Sequence, residues 1–298
     1  MTTVHDELEP AVVALRDAGS ETARLDAELL LGHVLGVDRT AVLAHPEAPL
    51  GEGQRAAFRV ALERRARGEP VAYIRGFKEF YGLAFSADPR ALIPRPETET
   101  LVGLGVDRAT QRLTGAPRPA GSPPFEILDV GTGCGAIVIA MAVHLRRRGY
   151  RDAVHLSATD ASAEALQLAV ENAVGHGVAD LIDFRLADLL EPPPPRPVDL
   201  LVANLPYIPT ADVPGLPVAA SFEPRLALDG GADGLELVRR LVAGLPGTLA
   251  PEGTAMLEIG ATQADSLRAL VQEQLPGWPV AVRADLSGEP RVALLERP

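Results

Sequence analysis

The sequence predicts an α/β protein: a Rossmann-like unit with a mostly parallel, seven-stranded sheet, preceded by a small N-terminal helical bundle. Three observations predict it. Apolar runs alternate with helical patterns from Phe125 to the C-terminus. A glycine-rich turn, Gly131-Thr132-Gly133-Cys134-Gly135, links the first of those runs to a helical stretch. Residues 5–68 carry helical spacing throughout. A chain of 298 residues with 47% hydrophobic and 23% charged residues is long enough for one large domain and a smaller companion. The expected division is 1–75 for the helical domain, 76–92 for a connector and 93–298 for the sheet domain.

The elements follow in order. Leu25, Leu29, Leu30, Val34 and Leu35 recur at helical spacing, and Ala56 to Arg67 is rich in helix formers; Gly32, Gly36, Pro46 and Pro49 punctuate them. Short amphipathic helices cannot bury their faces singly, so they are expected to pack as a bundle. Phe77 to Phe85, aromatic and apolar around Gly82, predicts a β-hairpin. Ile93-Pro94-Arg95-Pro96-Glu97-Thr98-Glu99 opens a helix, because proline is tolerated in a first turn and acidic residues suit its positive end. The stretch from Gly115 to Pro124 separates that helix from the sheet. Phe125–Val130, Val154–Thr159, Leu181–Leu186, Val198–Ala203 and Gly253–Ile259 read as buried parallel strands, and Trp278–Val282 and Arg291–Leu295 as a closing pair around Ser287-Gly288. Pro192–Pro195 reads as a stiff surface loop.

Bulk properties narrow the function classes. No apolar run reaches the roughly 18 residues of a membrane span, and the acidic start MTTVHDELEP lacks the order of a signal peptide, so a cytoplasmic protein is expected. Cys134 is the single cysteine and the six histidines are scattered, which argues against a disulfide or a metal centre. A net charge of −12 argues against nucleic acid, whose binding draws on clustered Lys and Arg. Arg64-Arg65-Ala66-Arg67 and Arg146-Arg147-Arg148 read as solvated helix ends.

Asp129-Val130-Gly131-Thr132-Gly133-Cys134-Gly135-Ala136 lies between a strand and a helix, the context in which glycines let a ligand approach backbone amides. Gly131, Gly133 and Ala136 also satisfy a dinucleotide fingerprint, so the loop alone does not separate NAD from S-adenosylmethionine. Asp160, ending the next strand, suits a ribose contact or a helix cap. Asp188 suits an adenine edge or an exposed loop, and Cys134, without a paired histidine, is assigned no chemistry.

Asn204-Leu205-Pro206-Tyr207 follows the fourth strand, beside the glycine loop at the carboxyl ends of the sheet. Pro206 extends Leu205, turning its carbonyl outward, and the Asn204 side-chain oxygen is a second acceptor. Two acceptors suit an NH2 group. An amide or aromatic amine is a weak nucleophile, so orientation toward a sulfonium methyl is the main catalytic device, and Tyr207 can stack on a planar acceptor. A packed Asn-x-Pro turn is the plain structural alternative.

These motifs, with Phe222-Glu223-Pro224-Arg225-Leu226-Ala227-Leu228-Asp229-Gly230-Gly231-Ala232-Asp233-Gly234-Leu235, resemble the protein-(glutamine-N5) methyltransferase family that modifies peptide chain release factors. The likeness runs through nearly the whole chain. It implies a class I methyltransferase fold, S-adenosylmethionine as donor with S-adenosylhomocysteine as product, and a monomer whose helical domain docks class I release factors. It implies that Gly131, Thr132, Gly133, Cys134, Gly135, Asp160, Asp188, Leu189 and Asn204 line the cofactor site. Asn204, Leu205, Pro206 and Tyr207 would hold the glutamine of a Gly-Gly-Gln loop, with Asn204, Pro206 and Tyr207 as the catalytic set. Leu205 stands where the family usually has proline, a form also seen in rRNA adenine dimethyltransferases, so adenine-N6 methylation of RNA or DNA is the alternative. A silent cofactor-binding module and an NAD-linked oxidoreductase are further alternatives, the latter without an evident proton donor. Arg95, Glu97 and Glu223 suit capping and salt links as well as substrate contacts.

Overall fold

The computed structural model describes residues 2–115 and 123–298, so most of the Gly115–Pro124 separator lies outside the described residues. The chain forms two compact units. One comprises the chain up to Lys78 with Ala87–Pro89 and Leu216–Phe222; the other comprises Glu79–Ser86, Arg90–Gly215 and Glu223–Pro298.

The first unit is built on α1 (Val4–Asp17), α2 (Ala23–Leu35), α3 (Arg39–Ala44), α4 (Glu52–Ala66) and α5 (Val71–Arg75). Thr3 and Asp6 close a reciprocal capping box at the start of α1, and Gly36, at φ 69°, ends α2 in the left-handed region. Leu8, Val12, Leu15, Ala27, Leu30, Leu31 and Phe58 form the core. Each buried leucine or phenylalanine contributes about 1.5–3 kcal/mol over exposure. Leu25, expected on the apolar stripe, is exposed, while Asp26 and Glu28 are buried. The reason is pairing: Asp26 accepts from Arg65 Nε at 2.7 Å, Ser20 Oγ at 2.7 Å and Thr22 Oγ1 at 2.9 Å, and Glu28 meets Arg39 at 2.6 Å. Arg65 is therefore an internal ion-pair partner, not a solvated helix end. Arg64 is likewise held, by Glu69 at 2.5 Å.

The predicted hairpin is present as β1 (Phe77–Phe80) and β2 (Leu83–Ser86). Tyr81 and Gly82 both take positive φ, 50° and 72°, the signature of a type I′ turn matched to strand twist.

The second unit continues with α6 (Glu99–Gly115), β3 (Phe125–Val130), α7 (Ala136–Arg147), β4 (Val154–Asp160), α8 (Ala163–Gly175), β5 (Ile182–Leu186), β6 (Val198–Ala203), α9 (Glu236–Thr248), β7 (Leu249–Glu258), α10 (Ala264–Gln274), β8 (Val280–Ala284) and β9 (Pro290–Glu296). The seven strands run in the order β5-β4-β3-β6-β7-β9-β8, with β9 antiparallel to both its neighbours and the other pairs parallel. The sheet is the predicted one. Alternation sends Ile127, Leu200 and Val202 into a core with Val106, Val138 and Met141, and Leu128, Leu201 and Ala203 into another with Leu241, Leu245 and Leu267. β7 begins at Leu249 rather than Gly253, because the chain absorbs Pro251 and Gly253 in an irregularity where Glu252 takes φ 59° and the register with β6 shifts. Arg146, expected as a solvated helix end, instead donates to the carbonyls of His176 and Gly177, while Arg148 reaches Thr110 Oγ1 at 2.9 Å. Among the described residues no helix is long and apolar enough to cross a membrane.

The order of strands reverses between β3 and β6. Their carboxyl ends are the switch point at which open α/β sheets bind ligands, and both sequence motifs sit there.

Candidate active site

The glycine loop leaves β3 and enters α7 with Gly131, Gly133 and Gly135 at φ 73°, 56° and 83°. The amides of Gly131 and Thr132 both donate to the Thr159 carbonyl at 2.8 and 2.9 Å, which pins the loop to the end of β4. A Cβ on Gly135 would lie 2.7 Å from Ile139 Cδ1 and 3.1 Å from Ala169 Cβ, so that glycine serves helix packing. A Cβ on Gly133 would meet only Ala91 Cβ, at 4.0 Å, leaving space for a ligand to approach the backbone. Asn172 braces the loop from α8: its Nδ2 donates to the Cys134 carbonyl at 3.0 Å, and its Oδ1 accepts from Ser86 N at 2.7 Å. Cys134 itself is buried in the core.

Asp160 accepts from Gly133 N at 2.8 Å and, through its other oxygen, from Ser162 N at 2.9 Å. The N-cap of α8 is Ser162, whose hydroxyl accepts from Ala165 N, so Asp160 is not the cap; it couples the glycine loop to the β4–α8 turn. Burial raises its pKa, against the backbone N–H groups of Ser162 and Gly133 that favour the charge. Beneath the loop, Asp129 is fully buried. Its Oδ2 accepts from Thr132 Oγ1 at 2.6 Å, and its Oδ1 has no hydrogen-bond partner among the described residues. Burial pushes this carboxyl up to about 7, opposed by Thr132 and the Val138 amide.

Leu189, in the left-handed region at φ 57°, turns its carbonyl toward Thr159 Oγ1 at 3.3 Å, which ties the end of β5 to the end of β4. Asp188 beside it is exposed and paired with Arg240 at 2.7 Å. It borders the site without joining its network.

Asn204 to Tyr207 continue from β6. Leu205 is 4% exposed, and its Cδ2 lies 2.9 Å from where a Cβ on Gly131 would stand, so the Asn204–Tyr207 turn and the glycine loop pack on each other. The Leu205 side chain thus belongs to the core, and only its backbone can face an acceptor. Gln263 Nε2 donates to the Tyr207 carbonyl at 3.0 Å and the Gly234 carbonyl at 3.3 Å. The long signature 222–235 is the other brace. Ile208 N donates to the Leu228 carbonyl at 3.2 Å and Gly230 N to the Ile208 carbonyl at 2.8 Å; a Cβ on Gly230 would lie 2.6 Å from the Pro206 carbonyl oxygen. Its glycines permit two backbones to touch. Glu223, 7% exposed, accepts from Ile93 N at 3.0 Å and pairs with Arg95 at 2.5 Å, so both residues hold the 93–99 segment in place. Glu97 is exposed, and its charge raises the pKa values of Tyr207 and Glu258, in each of which burial is the larger cause.

Three residues that motif reading passed over converge here. Asn204 Nδ2 donates to Thr98 Oγ1 at 3.0 Å. Thr98 and Asn204 adjoin the carboxylate of Glu258, which is 1% exposed and has neither oxygen in a fully formed hydrogen bond; burial pushes it up to about 7. Gln263 is the third. The cue for Glu258 was a lone carboxylate in the apolar run Ala255-Met256-Leu257-Glu258-Ile259, since an unpaired buried charge is retained where it has a task.

Comparisons with known proteins give the family. Residues 8–76 match the PrmC N-terminal domain and residues 104–214 the methyltransferase small domain. A release factor glutamine methyltransferase of Moorella thermoacetica is 40% identical over 91% of this chain and 90% of its own length. One of Deinococcus radiodurans is 36% identical over 99% and 98%. Among solved structures, a methyltransferase from Pyrococcus furiosus superimposes with a TM-score of 0.51 at 17% identity, over 78% of this chain and 97% of that one, a likeness of fold. Because identity of 36–40% extends over both units and not the sheet alone, the chain belongs to the release factor glutamine methyltransferase family.

Proposed function

We propose that this chain transfers a methyl group from S-adenosylmethionine to the side-chain amide nitrogen (N5) of the glutamine in the Gly-Gly-Gln loop of class I peptide chain release factors. The observation that supports the proposal is the packing of Leu205 on Gly131, which with the Asn204 carbonyl 4.0 Å from the same point sets the Asn204–Tyr207 turn against the glycine loop. The open space beside Gly133 fits a ligand that approaches the backbone of that loop. Gly131, Thr132, Gly133, Cys134 and Gly135 would hold the cofactor through the backbone and Asp160 through its carboxylate, with Asp188 and Leu189 at the adenine edge. S-adenosylmethionine, when bound, supplies a methyl group made electrophilic by its sulfonium.

The chain's own task is orientation. Asn204 Oδ1 and the Leu205 carbonyl accept the two N–H groups of the glutamine amide and aim its nitrogen, whose lone pair is delocalised, at the methyl carbon. Pro206 stiffens the loop, and Tyr207 stacks on the planar amide, worth about 0.5–1.5 kcal/mol beyond burial. Residues 1–75 serve as the docking domain, 76–92 as connector and 93–298 as the transferase; the enzyme works in the cytoplasm as a monomer. The net charge of −12 and the names of the relatives both support a protein acceptor over nucleic acid.

Incubation with methyl-labelled S-adenosylmethionine should label a release factor and not RNA. Asn204→Ala should keep the cofactor dissociation constant within about twofold while transfer falls by about 100-fold, the size of effect expected when a reacting group loses its alignment. Label appearing in RNA alone, or undiminished transfer by Asn204→Ala, would overturn the proposal.

A further inference from the structure

We infer that Thr98 and Glu258 are positioning residues that hold the Asn204 amide in one orientation, nitrogen inward and oxygen toward the acceptor. The inference rests on the reading of Asn204 given above and adds what makes that side chain an acceptor and not a donor.

A primary amide has a donor end and an acceptor end of nearly equal shape, so packing alone does not choose between them. At Asn204 the Nδ2 end faces Thr98 Oγ1 at 3.0 Å. A threonine hydroxyl by itself does not decide the matter either, because it can accept from Nδ2 or, turned round, donate to Oδ1. The decision comes from a third group. Ala203 pairs with Leu257 across the parallel strands β6 and β7, so the next residues, Asn204 and Glu258, stand side by side at the two carboxyl ends. An ionised carboxylate only accepts. An ionised Glu258 beside Thr98 draws the hydroxyl hydrogen toward its own side, so Thr98 turns lone pairs toward Asn204 and the donor end of the amide is favoured there. The reversed amide would set Oδ1 against those lone pairs and the carboxylate, and would present its NH2 to the NH2 of the glutamine.

The other charged and titratable groups around Glu258 do not supply this function. Arg291 donates to Asp285 Oδ2 at 3.0 Å and to the Ile259 carbonyl at 3.2 Å, Glu97 is a like charge, and Tyr207 titrates far higher. Thr98 itself is 3% exposed in the turn that precedes α6, with its backbone fixed by the Arg95 carbonyl, so its hydroxyl is held in place from both sides.

The test is single-turnover methyl transfer to a release factor over about pH 5.5–9, with the cofactor dissociation constant measured in parallel, for Thr98→Val, Thr98→Ser, Glu258→Ala, Glu258→Gln and Asn204→Ala. Thr98→Val and Glu258→Ala should slow transfer about 10- to 100-fold with cofactor affinity unchanged, and Thr98→Ser should restore it. The wild-type rate should fall on the acid side with a midpoint at about 7, as protonation gives Glu258 a donor toward Thr98 and frees the hydroxyl to turn round and donate to Asn204 Oδ1. Glu258→Gln, like the protonated acid, offers a donor as well as an acceptor and does not titrate, so it should transfer at the slow acid-side rate throughout and show no acid limb. Thr98→Val and Glu258→Ala as fast as wild type, beside an inactive Asn204→Ala, would overturn the inference and leave the glutamine reading standing. A wild-type acid limb retained in Glu258→Gln would overturn it too. A fully active Asn204→Ala would sink the reading beneath it.

Discussion

A carboxylate buried to 1% exposure with neither oxygen in a full hydrogen bond, as at Glu258, destabilises the folded chain whenever it is ionised. Its folded pKa, about 7, lies above the ordinary glutamate value of 4.5. Between these values the folded state retains a proton that the unfolded state has lost. Stability from this residue therefore declines as pH rises from 4.5 to about 7, and the full penalty is present above that. Glu258→Gln should consequently match wild type in urea unfolding at about pH 4.5 and exceed it by about 1–3 kcal/mol at about pH 8. An equal gain at both would assign the effect to packing instead of ionisation. Asp129 shifts in the same sense, from 3.8 to about 7, under the glycine loop. In the sequence Glu258 is the one charge in the run Ala255–Ile259, while Asp129 shares its strand with Glu126. Their burial and the identity of their neighbours are not visible there, because Thr98 lies 106 residues before Asn204 and only the fold joins them.

Between elements, the Asn204–Tyr207 turn after β6 is held by backbone contact with the 222–235 segment, and glycines set how close that contact can be. Gly234, at φ 73°, would place a Cβ 2.3 Å from the Tyr207 carbonyl oxygen, and Gly230 would place one 2.6 Å from that of Pro206. Gly234→Ala should therefore displace the loop, costing about 1–3 kcal/mol in stability and a large share of turnover. Gly36 has a comparable φ, 69°, with nothing within 4 Å of a Cβ, so Gly36→Ala carries only the left-handed strain and should leave turnover intact. Equal loss in both variants would show that backbone strain, and not contact with the Asn204–Tyr207 turn, is responsible. The segment is legible in the sequence as a signature of the resemblance; which partner it touches is a matter of sheet order, since β6 and β7 adjoin and the intervening chain must fold back between them.

Over the whole molecule, each compact unit has its own core, so damage to one should be separable from binding in the other. Asp26→Ala strips Arg65 of its buried partner and should cost about 3–5 kcal/mol within the helical unit. Calorimetry is expected to show an early transition while S-adenosylmethionine binding at the glycine loop persists; loss of binding together with that transition would contradict the separation. Much of this organisation was written locally. Hydrophobic period, glycine placement and proline breaks determined by themselves the type and order of the strands, the hairpin, the glycine loop and the Asn204–Tyr207 turn, because each depends on neighbours a few residues away. Tertiary structure alone decided the rest: that Leu25 faces out while Asp26 and Glu28 face in, that Leu205 fills the core, and that Thr98 and Glu258 meet at Asn204. The physical reason is register and strand order. A buried charge is tolerable only where distant partners or a functional task meet it, and one-dimensional pattern does not record which distant residues those are.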